Sequence, residues 1–252
     1  MATQLMFYER VIPVSSQRHR NWSIEGGNHY EFARHVNSVP LVAVEIPHAA
    51  REYTIVFAGT KEAIVPVVIL GIKDQENLYL TEEGGWTADY VPAFVRRYPF
   101  VFSTTPDGSQ YTLCVDESWG GCNQEGRGER LFDEQGERTP FLERLLSFHS
   151  DYQRSAKVTQ DYCNKLKELE LLDPKEANFT LAGGETAKLR GFMAVSREKL
   201  NALPAETLAE LAKTGALELT YAHLLSMNNL SLVANRVSKR NESLTEAGAA
   251  QA

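Results

Sequence analysis

No stretch of this sequence is apolar for long enough to cross a bilayer. The longest run, Ala63 to Ile72, is broken by Pro66 and falls well short of the roughly 20 residues a spanning helix requires. Positive charge is also in deficit: 26 Lys and Arg stand against 33 Asp and Glu, a formal net charge of -7. The cations are dispersed along the chain, which argues against binding to nucleic acid or anionic membrane, since both need a basic surface. Cysteine is scarce. Cys114, Cys122 and Cys163 are three in number and form no CxxC pair, as expected of reduced thiols rather than a disulfide framework. Glu9 and Arg10 interrupt the first residues before an apolar h-region develops, so no signal peptide is expected. Together these absences predict a cytoplasmic protein with no nucleic-acid partner and no transmembrane segment.

Catalytic signatures are missing as well. The sequence holds no GxSxG elbow, P-loop, GxGxxG or HExxH motif, and leaves any cofactor unknown. Gly120, Gly121, Gly126 and Gly128 come nearest to a phosphate cradle, but they follow a strand without opening into a helix, the context such a cradle needs. A surface loop explains them better. Asp116-Glu117 and Asp133-Glu134 are paired carboxylates that turn chemistry accounts for. His35 and His48 flank a strand-like run containing Glu45. They are the most concrete metal-ligand set, although no spacing supports ligation. Cys122, in the glycine-rich loop, is the most accessible thiol by sequence, yet it has no identifiable base beside it.

What is present is ordinary for a folded chain: 43% hydrophobic and 10% aromatic residues, enough to exclude wholesale disorder. Strands are expected at 39–46, 51–58, 63–72, with Pro66 marking an edge or bulge, and at 77–80. Val91, Phe94, Val95 and Tyr98 recur with helical spacing, predicting a short helix over 87–97 that Pro99 stops. FVFST (100–104) and YTLCVDE (111–117) read as a hairpin through Pro106-Asp107-Gly108. From Thr139 the pattern turns helical, with an apolar stripe at 141, 145, 148, 152, 162, 166 and 169, ending before Asp173-Pro174. A turn at Gly183-Gly184, a strand over 191–196 and two short helices follow, and 216–236 reads as a strand running into a helix. The fold class is α+β: antiparallel or mixed strands in the N-terminal half and a helix-rich C-terminal half. One compact unit over 1–238 is expected, strand-rich over 36–117 and helix-rich over 139–237. Residues 239–252 lack apolar periodicity and are expected to be an unstructured tail.

The densest feature is the stretch from Asn77 to Phe102. It carries Trp86, Tyr90, Phe94, Tyr98, Phe100 and Phe102 together with the paired cations Arg96 and Arg97. Aromatic residues with arginine suit planar or anionic ligands and protein interfaces. The same residues equally suit a core, with the arginines paired to acids.

The NLYL–GGW–YVPAFVRRYPF block resembles the SapC family of bacterial proteins. So do the preceding EYTIVF, then LCVDE, LFDEQGE, GFMAVSREKLNALP and the late YAHLLSMNNL, all in the same order from about Pro40 to Leu232. The resemblance implies a link to a surface-layer locus. It also implies neighbourhood to outer-membrane receptors, halogenase-like flavoenzymes and cupin-like oxygenases, and hence an accessory role. It carries over no catalytic residues. The residues expected to bind a ligand or protein partner are Trp86, Tyr90, Arg96 and Arg97, with His223 and Ser226. The alternative is an enzyme whose site assembles from distant residues, with His35, Glu45, His48 or His223 holding a metal.

Overall fold

The computed structural model describes residues 5–60, 63–105, 110–180 and 186–250, with Thr180 and 241–250 as backbone alone. The expected turns at 106–108 and 183–184 lie outside them. The chain opens with strand β1 (Val11–Pro13), one turn of helix α1 (Ser16–His19) and the two-residue β2 (Ser23–Ile24). β3 (Ser38–Pro40) then runs into a 3-10 turn at Ala43–Glu45 and helix α2 (Ile46–Ala49). The strand expected over 39–46 therefore stops at Pro40. The Glu45 carboxylate accepts from the Val42 N–H at 3.1 Å and the Thr159 hydroxyl from the Ala43 N–H at 2.7 Å. These bonds fold the run into a turn that still buries Val39, Leu41, Ala43 and Ile46. The burial that the apolar pattern reports is met without the strand.

β4 (Ile55–Gly59) and β5 (Ile64–Ile69) form where expected. The fourth strand does not. The Asn77 side chain donates to the Ala33 carbonyl and accepts from the Tyr79 N–H, both at 2.9 Å, which turns the chain and leaves an isolated bridge between Leu80 and Trp86. Next, the helix expected over 87–97 contracts to α3 (Ala93–Arg96). Carboxylates capture the N–H groups ahead of it: Glu52 takes those of Asp89 and Tyr90, and Glu45 takes that of Ala93. Local side-chain acceptors thus outcompete the helical pattern.

β6 (Phe100–Thr104) and β7 (Tyr111–Asp116) pair antiparallel as expected, and β1 adds to the far side of β7. β8 (Cys122–Asn123) and β9 (Glu129–Arg130) flank β2 in a third, small sheet. The glycine-rich loop is anchored there. At Gly128, φ is +84° and the Ile24 carbonyl stands where a Cβ would be, so only glycine fits.

Helix α4 (Pro140–Glu168) is the long helix the sequence predicts. Thr139 caps it by accepting from the Leu142 N–H at 3.3 Å, and Pro140 occupies the first turn. Its two ends serve two cores. Leu142 packs with Phe100, Leu113, Val115 and Leu131, whereas Tyr162, Cys163 and Leu166 pack against the larger core around Tyr53, Phe57 and Tyr79. Within the predicted stripe, Phe141, Leu145 and Phe148 are only half-buried, and His149 takes the buried position.

After α4 the sequence offers a stop, but the chain enters β10 (Leu172–Thr180), which hairpins with β11 (Thr186–Val195). β10 went unread because its polar residues show no period of two. Pro174 is tolerated because β10 is an edge strand: the five-stranded antiparallel sheet runs β10-β11-β4-β5-β3. Pro66, in contrast, is not on an edge. β5 lies between β4 and β3, and the Pro66 carbonyl accepts from the Leu41 N–H at 2.9 Å, just past the end of β3. Its missing N–H therefore faces a side where the ladder has ended.

Helices α5 (Arg197–Asn201) and α6 (Ala205–Lys213) form as expected, capped by Ser196 and led by Pro204. Residues 216–226 are helix α7 (Ala216–Ser226) throughout, not strand then helix. Its buried face includes Thr220, His223 and Ser226, so polarity does not mark the solvent side and the helical period is hidden. α8 (Leu230–Ala250) continues in helical backbone past Ser238, where the sequence reading expects an unstructured tail. Eight of the twelve residues from Lys239 to Ala250 are Ala, Glu, Lys, Arg or Leu, whose intrinsic preference favours helix even without an apolar stripe.

Candidate functional site

The 86–102 segment is held in place by side-chain acceptors. Glu45, 4% exposed, takes the Tyr90 hydroxyl at 2.5 Å and the Ala93 N–H at 2.7 Å. Glu52 takes the N–H groups of Asp89 and Tyr90 at 3.1 and 3.0 Å. The Tyr53 hydroxyl accepts from the Trp86 indole N–H at 2.7 Å and donates to the Tyr90 carbonyl. Trp86 and Tyr90 are therefore scaffold as much as surface. Burial, and then the Glu45 carboxylate, push the Tyr90 phenol well above its ordinary range, so it stays a hydrogen-bond donor.

The two arginines have opposite fates. Arg97 is 2% exposed and lies over the Phe94 ring at 4.1 Å and the Tyr152 ring at 5.1 Å. Arg96 is exposed. Its Nε donates to the Val91 carbonyl at 2.9 Å, and its guanidinium lies 5.9 Å from the Tyr90 ring centre and 5.5 Å from that of Phe148. Among the described residues, Arg96 has no carboxylate within ion-pair distance.

Arg96 stands at the edge of a groove of about 270 Å³. One wall is the N-terminal loop, with Gly26, Gly27, His29, Tyr30 and Phe32; another is Val95 to Phe100; Trp119, Phe141 and Leu145 complete it. The rings form a continuous lining: Phe32 stacks on Tyr98 at 4.1 Å, and Trp119 meets Tyr98 edge-on at 6.0 Å. Tyr30 touches Phe32 and Trp86, with centroids 6.2 and 5.6 Å apart. Beneath the groove the Tyr98 hydroxyl points to Asp116 at 3.4 Å. Burial, then the Asp116 charge, raise the Tyr98 phenol.

Asp116 is itself fully buried. It accepts from the N–H groups of Glu9, Arg10 and Ser118 at 2.8, 3.0 and 3.1 Å and from the Ser118 hydroxyl at 2.6 Å. Burial pushes its carboxyl up, but these donors, led by Ser118, outweigh that and hold it below the ordinary value. The carboxylate ties the backbone at Glu9 and Arg10, just ahead of β1, to the end of β7, and its contact with the Tyr98 hydroxyl lies under the groove.

The remaining expected residues separate. His223 and Ser226 are fully buried in α7, away from solvent. The His223 Nδ1 faces the Ile55 carbonyl at 2.9 Å, its Nε2 accepts from the Val195 N–H at 3.0 Å, and the Ser226 hydroxyl accepts from the Ile55 N–H at 3.1 Å. They join α7 to β4 and β11 and cannot border a groove with Arg96, because no ligand reaches them. His48 stacks on Tyr90 at 5.9 Å with Glu45 at the phenol's other end, while His35 lines a different cavity. No group of three His, Cys, Asp or Glu suited to a metal occurs among the described residues. The most accessible thiol by sequence, Cys122, is pushed up to about 12 by burial and by Asp116 and Glu117, which keeps it protonated at neutral pH.

Sequence reasoning missed Tyr30, Phe32, Trp119, Phe141 and Leu145 as site residues. The available signal was weak. Tyr30 and Phe32 sit beside the Gly26-Gly27 turn in an otherwise polar stretch, and Phe141 and Leu145 match the core stripe of α4.

A family model described as SapC matches residues 14–232. The match begins upstream of the resemblance legible by eye, and takes in the loop that forms one wall of the groove. No curated protein and no solved structure matches the chain. No helix among the described residues is long and apolar enough to cross a membrane. The chain belongs to the SapC family.

Proposed function

With SapC membership as the premise, we propose that this chain is a non-catalytic binding protein, accessory to a surface-layer, outer-membrane-receptor or halogenase and oxygenase system. Its aromatic groove receives a planar group bearing a negative charge, either a small aromatic carboxylate or an aromatic side chain beside an acid on a protein partner. The observation that carries this reading is Arg96. It is an exposed guanidinium placed between aromatic faces at the lip of an aromatic groove, with a carbonyl and, among the described residues, no carboxylate as its partner. Rings in the groove offer stacking area, and the planar guanidinium offers a two-pronged contact to an oxyanion.

Native mass spectrometry of the protein purified from its own host supplies the test, with saturation-transfer NMR against benzoate and indole-3-acetate as defined probes. Arg96→Ala is expected to weaken binding at least tenfold, about 1.4 kcal/mol, while leaving the near-UV circular dichroism unchanged. Trp119→Ala is expected to weaken binding similarly while leaving the far-UV circular dichroism unchanged. A bound mass or probe retained at full affinity by both variants would overturn the reading.

A further inference from the structure

A second cavity, of about 400 Å³, shares no residues with the aromatic groove. Three arginines converge on it from separate parts of the chain: Arg34 beside the 3-10 turn over Glu31–Ala33, and Arg236 and Arg240 from α8. The spacing of four puts Arg236 and Arg240 on one face of that helix. His35 lines the same cavity; Glu76 and Glu82 are its acids.

The charges here are unevenly matched. Arg34 is paired with Glu31 and also donates to the carbonyls of Thr81 and Glu82. Arg240 meets Glu76 at 2.7 Å. Glu76 is 5% exposed, and its other oxygen accepts from the N–H groups of Ile72 and Lys73 at 2.9 and 3.1 Å. That leaves Arg236. It donates to the Thr87 hydroxyl at 2.9 Å and the Leu78 carbonyl at 3.4 Å, and lies 4.1 Å above the Tyr79 ring. All three partners are neutral. Among the described residues it has no counter-ion within ion-pair distance; a half-buried guanidinium so placed is costly, yet it persists here in a chain with a net charge of -7.

We propose that this cavity is a binding site for a small polyanion, with Arg236 as its central cation and Arg34 and Arg240 at its flanks. Two oxyanion groups on the ligand fit the arrangement: one lies against Arg236, and the second bridges toward Arg34 or Arg240. Phosphate and carboxylate both match the guanidinium fork. The exposed Glu82 repels a ligand that approaches from its side and so restricts the entry direction.

The test is isothermal titration of the full chain with pyrophosphate and, separately, with tricarballylate, at fixed ionic strength. Binding of at least one is expected, with a tenfold or greater loss in Arg236→Gln and a smaller loss in Arg236→Lys, which keeps the charge but not the fork. Arg154→Gln, remote from the cavity, is the control and is expected to bind as the unaltered protein does. Pyrophosphate binding alone marks the site as one for phosphorylated ligands; tricarballylate alone marks it for polycarboxylates. Absence of binding by either probe, or equal binding by Arg236→Gln, overturns the proposal. Neither result bears on the aromatic groove, whose probes and variants are different.

Discussion

Asp116→Ala is expected to lower the melting temperature by roughly 10 °C. The carboxylate is fully buried and accepts four close hydrogen bonds, from the N–H groups of Glu9, Arg10 and Ser118 and from the Ser118 hydroxyl. Alanine leaves those donors without their partner at a fully buried position. Each buried donor orphaned costs about 1–3 kcal/mol, and because some relax toward solvent the total is about 3–4 kcal/mol. For a chain of this size each kcal/mol shifts the melting temperature by about 2–4 °C. Thermal unfolding followed by circular dichroism reads the result. A shift below about 3 °C would mean that the segment leading into β1 does not depend on this anchor. Asp116→Ala is also expected to weaken whatever the groove binds, since the carboxylate faces the hydroxyl of Tyr98, a groove residue. Its acid response follows from the depressed carboxyl: the contribution is complete above the ordinary aspartate range and is lost as pH falls through the lower folded value.

A second large effect is expected at His223. Burial drives this imidazole down from its ordinary 6.5 to about 4, against the opposing pull of the Ile55 carbonyl. The folded ring is therefore neutral, with both nitrogens in use. Below pH 6.5 the unfolded chain takes up a proton that the folded chain refuses until about pH 4. The contribution is therefore complete above 6.5 and lost as pH falls toward 4. At about 1.4 kcal/mol per pH unit the loss is of order 3 kcal/mol. Urea unfolding at pH 7.5 and pH 4.5 measures it, with His223→Ala as the comparison. The variant is expected to be less stable at pH 7.5, by about 2–4 kcal/mol for the orphaned Val195 N–H and Ile55 carbonyl. It is also expected to lose less than the unaltered protein on acidification. Parallel pH profiles for the two would show that His223 is not the group responsible.

The two residues also show how sequence and structure divide the information. The sequence suggests His223 as a ligand residue bordering a groove; tertiary packing makes it a joint between a helix and a sheet. Nothing in YAHLLS distinguishes the two, because the burial of a polar side chain depends on whether partners from distant strands arrive to satisfy it. Arg96 and Arg97 make the same point at adjacent positions. One turn of helix directs one guanidinium to solvent and the other into a cage of rings.

The sequence by itself determined the α+β class, the long helix with its Thr139 cap, the hairpin of β6 and β7, and the family. Each of these is written in local spacing: period, caps, turn residues and ordered motifs. It also marked 86–102 as the richest segment. Only the tertiary structure decided which face of that segment is a groove. The groove's other walls come from residues about 60 positions upstream (Tyr30, Phe32) and about 20 to 50 downstream (Trp119, Phe141, Leu145), and contact over such separations leaves no periodic trace. The same holds for VPLVAVEI and for the segment ahead of α3, where single carboxylates, Glu45 and Glu52, overrule the local pattern. A buried acceptor that takes two or three backbone N–H groups is worth more than the propensity of the residues it reorganises, and its reach is set by the fold.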